Sequence, residues 1–285
     1  SYLVQSPLFC VCDGMGGHAA GEVASSIAVE TIAKTAPQSA DAARLAAAVE
    51  AANAAVIEAA LNGLGKPGMG CTATCAYIEN DTLAIAHVGD SRAYLLHEGT
   101  LIRVTRDHSY VEELVDAGEI TADEARVHPN RSVITRALGS DPAMYADHFT
   151  LHIEEGDRLI LCSDGLSSMI PDSDIENIAT QSSTAQICVD NLVDAALAAG
   201  GHDNVTVVVV DLVDDGVMRE AQRVRRRNIT IAAILALVFV LAAGIWAYTG
   251  VTGSYYLGTY QGNVAVWRGL PGKPLGLTLH WLESE

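Results

Sequence analysis

The chain has 285 residues, of which 49% are hydrophobic, and its 35 acidic side chains outnumber its 17 basic ones to give a formal net charge of −18. Such an acidic surface disfavours nucleic acid as a partner, because a polyanion is repelled by negative charge. The length and hydrophobic content suffice for one core of about 200 residues with a remainder.

The first half of the chain carries helix signals followed by strand signals. Helices are predicted over Gly21–Ala36 and over Asp41–Asn62, the second with Asp41 as its N-cap. The glycine-rich stretch Gly63–Gly70 ends the second helix. The short turns "ENDT" and "HEGT" join the strand-like runs that follow, which predicts antiparallel neighbours. These runs are Cys71–Ile78, Leu83–Val88, Arg92–His97 and Leu101–Thr105.

The second half begins with a polar segment, Asp107–Ser140, which we expect to be mostly helical. Two strands, two helices and a last apolar strand, "NVTVVVVDL", follow it. Because helices and strands come in blocks, the pattern favours an α+β sandwich over a doubly wound parallel sheet. The predicted strands are His148–Ile153 and Arg158–Cys162, and the predicted helices are Asp172–Ala179 and Thr184–Ala199.

A hydrophobic segment near the C-terminus predicts one membrane span. Ile229–Tyr248 contains no charged residue over 20 positions, which is long enough to cross the roughly 30 Å hydrocarbon core of a bilayer. A buried core helix is the alternative, but such a helix rarely lacks a polar stripe over this length. The preceding "MREAQRVRRRN" is rich in arginine, which places residues 1–228 in the cytoplasm and Val251–Glu285 outside. The outer tail is expected to form two or three short strands.

All six cysteines lie before this span and mostly within strand-like runs, as expected for reduced core residues of a cytosolic protein. Cys10-x-Cys12 and Cys71-x3-Cys75 each lack a matching Cys or His pair with the usual zinc spacing. The sequence therefore disfavours a zinc site.

Four acids stand at the ends of apolar runs: Asp13, Asp90, Asp164 and Asp203. An isolated carboxylate at the edge of a core is costly to desolvate unless a positive group meets it. Nearby arginines are few, chiefly Arg92, so bound cations are the simplest source of the positive charge that these carboxylates need. Carboxylate and water ligands suit Mg²⁺ or Mn²⁺. For any one acid, a strand-end cap without metal is the alternative.

Five segments, in this order and spacing, carry a family resemblance: "VCDGMGGHAAGEVAS", "GMGCTATCAYI", "HVGDSRAYLL", "LILCSDGL" and "GGHDNVTVVVV". Across residues 1–213 the chain resembles the bacterial branch of the metal-dependent type 2C serine/threonine protein phosphatases. The whole layout resembles the membrane-anchored actinobacterial form that accompanies eukaryotic-like Ser/Thr kinases.

The resemblance implies a fold of two packed antiparallel β-sheets flanked by helices, plus one transmembrane helix. It also implies four regions along the chain. These are a catalytic domain at 1–213, a basic juxtamembrane linker at 214–228, a transmembrane helix at 229–250 and a short extracytoplasmic tail at 251–285.

The same resemblance implies a metal site. Asp13 would bridge two ions, Mn²⁺ or Mg²⁺, and the carbonyl of Gly14 would bind one of them, while Asp164 and Asp203 complete the protein ligands. Asp90 would help to hold a third, weaker ion, with Ser132 close to it in the segment 107–140, which corresponds to a flap beside the active site.

The implied reaction is hydrolysis of phosphoserine and phosphothreonine proteins by a metal-activated water, with no covalent phosphoenzyme. The implied partners are Ser/Thr kinases and their substrates. Met15 stands where animal members have a His proposed as the general acid.

An N-terminal strand, with a phosphate-binding Arg and a metal-ligating Asp, is expected to precede Ser1 in this family, and neither residue is in this chain. Their loss would lower activity by orders of magnitude. One alternative is therefore a membrane-tethered pseudophosphatase or phosphoprotein-binding module. Another is a metallohydrolase acting on small phosphorylated metabolites.

Overall fold

The computed structural model describes the backbone of residues 1–66, 68–201, 203–213, 215–261, 263–271 and 279–284. Within these ranges it describes every side chain except those of residues 18, 215–226 and 284. The chain divides into two compact units, Ser1–Val213 and Asp214–Glu285, and each is described by itself.

Two antiparallel sheets form the centre of the first unit. The five-stranded sheet has the order β1-β2-β5-β6-β9, and the four-stranded sheet has the order β11-β10-β7-β8. The strands are β1 Tyr2–Gln5, β2 Leu8–Val11, β3 Gly14–Met15, β4 Gly70–Cys71, β5 Ala73–Glu79, β6 Thr82–Val88, β7 Arg92–His97, β8 Thr100–Arg103, β9 Asp147–His152, β10 Arg158–Cys162 and β11 Val207–Asp211.

Apolar side chains from both sheets meet in one cluster, which includes Val11 and Ile85 from the first sheet and Leu95 and Leu161 from the second. Because successive strand residues point to opposite faces, each sheet also has an outer face whose apolar side chains need protection from water. Helices provide it: α1 His18–Thr35 and α2 Ala42–Leu61 cover the first sheet, and α6 Asp172–Gln181 and α7 Ala185–Ala198 cover the second. The prediction of two packed antiparallel sheets flanked by helices is confirmed.

The second predicted helix shows how closely sequence signals can locate an element. The Asp41 side chain accepts a hydrogen bond from the Arg44 N–H at 3.0 Å, which caps the helix. Its predicted inner face, which includes Leu45, Val49 and Val56, is fully buried.

The segment 107–140 is less helical than predicted. Its helices are short, α3 Tyr110–Asp116 and α4 Ala122–Val127, and the rest consists of turns and isolated bridges. Gly118 follows α3 with a positive φ of 71°, which stops the helix. A capping box at Thr121 and Glu124 starts α4, and Pro129 follows its end.

The six cysteines are free and buried, as predicted. The two sequence pairs meet, because Cys10 of β2 faces Cys75 of β5 in the strand register. The Sγ of Cys10 lies 3.0 Å from the Sγ of Cys75 and 3.5 Å from the Sγ of Cys12. These thiols pack with alanines of α1 and α2 in one apolar cluster, where cysteine behaves as a small hydrophobic residue.

The second unit contains one long helix and a small sheet. Helix α8 spans Asp215–Thr252, and its part from Arg227 to Thr252 has a mean hydropathy of 2.6 and is long and apolar enough to cross a membrane. Three antiparallel strands follow in the order β12-β13-β14, which agrees with the expectation of two or three strands. They are β12 Tyr255–Tyr260, β13 Asn263–Gly269 and β14 His280–Ser284.

Candidate functional site

The first acid, Asp13, follows β2, and hydrogen bonds fix the position of its main chain. Its N–H donates to the Thr72 hydroxyl at 2.9 Å, and its carbonyl accepts from the Thr72 N–H at 2.8 Å. The Thr72 hydroxyl also lies 2.7 Å from that of Ser91, the residue after Asp90. A short chain of hydrogen bonds therefore ties the Asp13 turn to the Asp90 turn.

Gly14 forms β3 and packs directly against α1. A Cβ on Gly14 would lie 2.1 Å from the carbonyl oxygen of Gly21, so no side chain fits between the two backbones. This close approach fixes the path of the chain immediately after Asp13.

Asp164 begins the short helix α5, Asp164–Ser167. The preceding Ser163 hydroxyl donates to the Asn204 carbonyl at 3.2 Å and accepts from the Thr206 N–H at 3.0 Å. A Cβ on Gly165 would lie 2.4 Å from the Asn204 carbonyl oxygen. These contacts hold the Asp164 turn against the segment that begins with Asp203.

The four predicted acids influence one another. Burial, and then the neighbouring Asp164 and Asp203, raise the pKa of Asp13 to about 7. Burial also raises the pKa of Asp90 to about 8, with Asp164, Asp107 and Asp13 adding to it. The pKa of Asp164 is raised as well, chiefly by burial. Negative charge is therefore concentrated at this place in the fold.

Among the side chains that the structure describes, no arginine forms an ion pair with any of these four acids. Arg92, the cation expected nearby, donates from Nη2 to Asp107 at 2.7 Å and approaches Asp172 at 3.6 Å. The Tyr94 hydroxyl bridges Arg92 and Asp172. The Oδ1 of Asp164 is buried and has no hydrogen-bond partner among the described residues. Buried polar atoms are rarely left without a partner, so this oxygen indicates a missing positive group.

The donor set fits a hard divalent cation such as Mg²⁺ or Mn²⁺, which prefers carboxylate oxygens. Among the side chains that the structure describes, no three His, Cys, Asp or Glu form a ready cage for an ion. A cation here would therefore complete its coordination with water and with main-chain oxygen.

A groove of about 400 Å³ contains three of the four acids, Asp90, Asp164 and Asp203. Ser132 lies on its wall, in the segment 107–140, and Asp13 lies beside Asp164 without lining the groove. We call this feature the acidic groove. It brings together Asp90, Ser132, Asp164 and Asp203, which lie far apart in the sequence.

Several residues of the site carry no sequence signal of their own. Thr72, Ser91 and Ser163 are single hydroxyls that become important only because the fold joins their turns. Asp107 resembles any other acid in the sequence, although it is 6% exposed and forms the ion pair with Arg92.

Comparison with known proteins gives a consistent result. The sequence pattern of the protein phosphatase 2C family matches residues 3–205. The serine/threonine protein phosphatase PstP of Mycobacterium tuberculosis (strain H37Rv) is 34% identical over 325 aligned positions, covering 96% of this chain and 62% of that protein. The chain thus spans less than two thirds of the length of that relative. The serine/threonine phosphatase stp of Listeria welshimeri is 37% identical, covering 73% of this chain and 85% of that protein.

Solved structures agree with these relatives. A crystal structure of PstP from Mycobacterium tuberculosis superposes with a TM-score of 0.71 at 40% identity, covering 75% of this chain and 91% of that one. The catalytic domain of PstP in complex with two manganese ions superposes with a TM-score of 0.69 at 39% identity, with the same coverage.

Proposed function

Because this chain belongs to the protein phosphatase 2C family, we propose that residues 1–213 hydrolyse phosphoserine and phosphothreonine in proteins with the help of Mn²⁺ or Mg²⁺. The observation that carries the proposal is the acidic groove, which is lined by Asp90, Asp164 and Asp203. Among the described residues, the buried Oδ1 of Asp164 has no hydrogen-bond partner and none of these acids forms an ion pair with an arginine. The manganese complex of the PstP catalytic domain supports the same reading.

We assign the protein ligands as follows. Asp13, the carbonyl of Gly14, Asp164 and Asp203 hold two ions, and Asp90 holds a third, weaker ion, with Ser132 on the adjacent groove wall. The electrostatics of the acids support this assignment, since burial and then the charges of the neighbouring acids raise the pKa of Asp13 and Asp90.

When bound, such cations activate water near neutral pH and neutralise charge on the phosphoryl oxygens. The protein residues hold the ligands in place: Thr72 fixes the main chain of Asp13, and Ser163 fixes the Asp164 turn against the segment after Asp203. Cys12 stands next to Asp13 but is 1% exposed, so it cannot reach a substrate as a nucleophile. This agrees with direct attack by water rather than a covalent phosphoenzyme.

We also propose that α8 anchors the protein in the cell membrane as a single span, with residues 1–213 in the cytoplasm and the short sheet outside. The apolar stretch Arg227–Thr252 and the arginines before it support this topology. Phosphorylated proteins at the membrane, including Ser/Thr kinases and their substrates, would then be the partners. Resistance of the chain to extraction from membranes by alkaline carbonate tests the anchor, and its release in the supernatant would contradict it.

Release of phosphate from a phosphothreonine peptide, measured with Mn²⁺ and with EDTA, tests the proposed reaction. We expect release only with Mn²⁺, and none from an Asp13→Asn variant. A chain that binds the peptide but never releases phosphate would instead be a phosphoprotein-binding module. Turnover of small phosphorylated metabolites in preference to peptides would favour the metabolite-hydrolase alternative.

A further inference from the structure

The arginines within residues 1–213 fall into two groups, those with an ion-pair partner and those without one among the described residues. Six of the eight arginines in this range form an ion pair with a carboxylate. Arg126 and Arg131 form none with any residue that the structure describes. In a chain with twice as many acids as bases, these two cations remain available for an external anion.

Both unpaired arginines line the acidic groove. Arg126 lies on α4 and is half-buried, whereas Arg131 lies in the following turn and is exposed. Two positive charges therefore line the same groove as Asp90, Asp164 and Asp203. A polypeptide that enters the groove with its phosphorylated residue towards these acids would pass both arginines.

The position of Arg126 is defined by one contact. Its Nη1 donates to the carbonyl of Ser167 at 3.2 Å, and Ser167 ends the helix α5 that begins with Asp164. The side chain thus reaches across the groove from the segment 107–140 to the acid-bearing turn. A guanidinium has five N–H donors in a planar fork, and the other donors of Arg126 have no partner among the described residues.

We propose that Arg126 forms a binding subsite for an acidic side chain of the substrate, close in sequence to the phosphorylated residue. The inference rests on the proposed function of the groove. A guanidinium fork matches a carboxylate with two parallel hydrogen bonds. Arg126 contacts the end of α5 and none of the four acids, so its place in the groove suits a residue that flanks the phosphoryl group rather than the phosphoryl group itself.

Phosphothreonine peptides that differ only in the flanking residues, acidic, neutral or basic, test this subsite. The full chain in detergent micelles with Mn²⁺ is assayed for kcat and KM on each peptide. We expect the unsubstituted protein to favour the acidic peptide over the neutral one by about fivefold in kcat/KM, mainly through KM, as for a partly exposed ion pair.

Variants at Arg126 should change this ratio. We expect Arg126→Gln to bring the ratio of kcat/KM for the acidic peptide to that for the neutral peptide to about one. Arg126→Lys should keep part of the preference because the positive charge remains, and Arg126→Glu should prefer the basic peptide. Arg44→Gln is the matched control, because Arg44 is 78% exposed on α2 and pairs with Asp41 outside the groove. It should leave the ratio unchanged.

The proposal is overturned if the ratio does not change in Arg126→Gln. It is also overturned if this variant loses activity equally on every peptide and on p-nitrophenyl phosphate, because the guanidinium would then act on the phosphoryl group or on the groove as a whole. A protein that hydrolyses nothing would refute the proposed function instead. Fluorescence anisotropy with the same acidic and neutral peptides would then still test the subsite, by the same fivefold ratio in affinity.

Discussion

Asp13 offers a test in which stability and function move in opposite directions. Its pKa is raised from 3.8 to about 7 by burial and by the neighbouring carboxylates. Without a cation, the charged site therefore destabilises the fold. We predict that Asp13→Asn stabilises the metal-free protein, removes its stabilisation by Mn²⁺, and abolishes phosphate release.

The size of the effect follows from the pKa. A difference of about 3 pKa units corresponds to about 4 kcal/mol, and because water reaches part of Asp13, we expect about 2 kcal/mol. For a domain of this size, that raises Tm by about 6 °C. Mn²⁺ at 100 times its Kd should stabilise the unsubstituted protein by about 2.7 kcal/mol, and the variant by much less.

Thermal unfolding at pH 8, in EDTA and in Mn²⁺, measures both effects on the full chain in detergent. Asp190→Asn is the control, because Asp190 is exposed on α7 and lies outside the acidic groove. The reasoning would be refuted by an Asp13→Asn variant that is less stable than the parent protein in EDTA and still gains the full Mn²⁺ stabilisation.

Three further predictions concern the surroundings of the site. Gly14→Ala places a Cβ 2.1 Å from the carbonyl oxygen of Gly21, so we expect a loss of about 2–4 kcal/mol in urea unfolding and of most activity; near-normal values would show that α1 can move away. Arg92→Ala breaks a pair whose side chains are 17% and 8% exposed and leaves the buried Asp107 side chain without its arginine, so urea unfolding should show a loss of about 3 kcal/mol. His87 is buried, and burial, with His108 adding to it, lowers its pKa to about 4. The unfolded chain takes up this proton below pH 6.5 and the folded chain does not, so stability should fall between pH 6.5 and 4 by up to about 3 kcal/mol. His87→Gln should reduce that fall, whereas His152→Gln, at a side chain 65% exposed, should not; equal pH profiles for all three proteins would contradict this.

Local sequence patterns were sufficient to predict the elements whose structure depends mainly on their own residues. The N-cap at Asp41 and the apolar face that includes Leu45 and Val49 predicted α2 to within a residue at each end. Short turns predicted the antiparallel pairing of β5 with β6 and of β7 with β8. The positions of Asp13, Asp90 and Asp164 just after strands were also predictable, because an apolar run stops before each of them, whereas Asp203 lies in the loop before β11.

Other features depend on contacts between distant segments and could not be read in this way. Arg92, the arginine that the sequence chiefly placed near the acids, forms its ion pair with Asp107 instead of with any of the four predicted acids. The hydroxyl chain from Thr72 to Ser91 exists only because β5 and β7 bring two turns together. Cys10 and Cys75 looked like members of separate pairs, and the strand register makes them neighbours. In the segment 107–140 the helical pattern was correct for α3 and α4, but turns set by Gly118 and Pro129 shortened both helices.

The central claim is that the carboxylates of the acidic groove hold the cations on which hydrolysis depends. Electron paramagnetic resonance of bound Mn²⁺, recorded during a Mn²⁺ titration while phosphate release is followed in the same sample, tests it most directly. We predict that bound Mn²⁺ and activity rise together, and that Asp164→Asn weakens both by at least tenfold, since ligand loss removes a charged contact. Phosphate release that persists in metal-free protein, or an Asp164→Asn variant that binds Mn²⁺ as tightly as the parent protein, would contradict the claim.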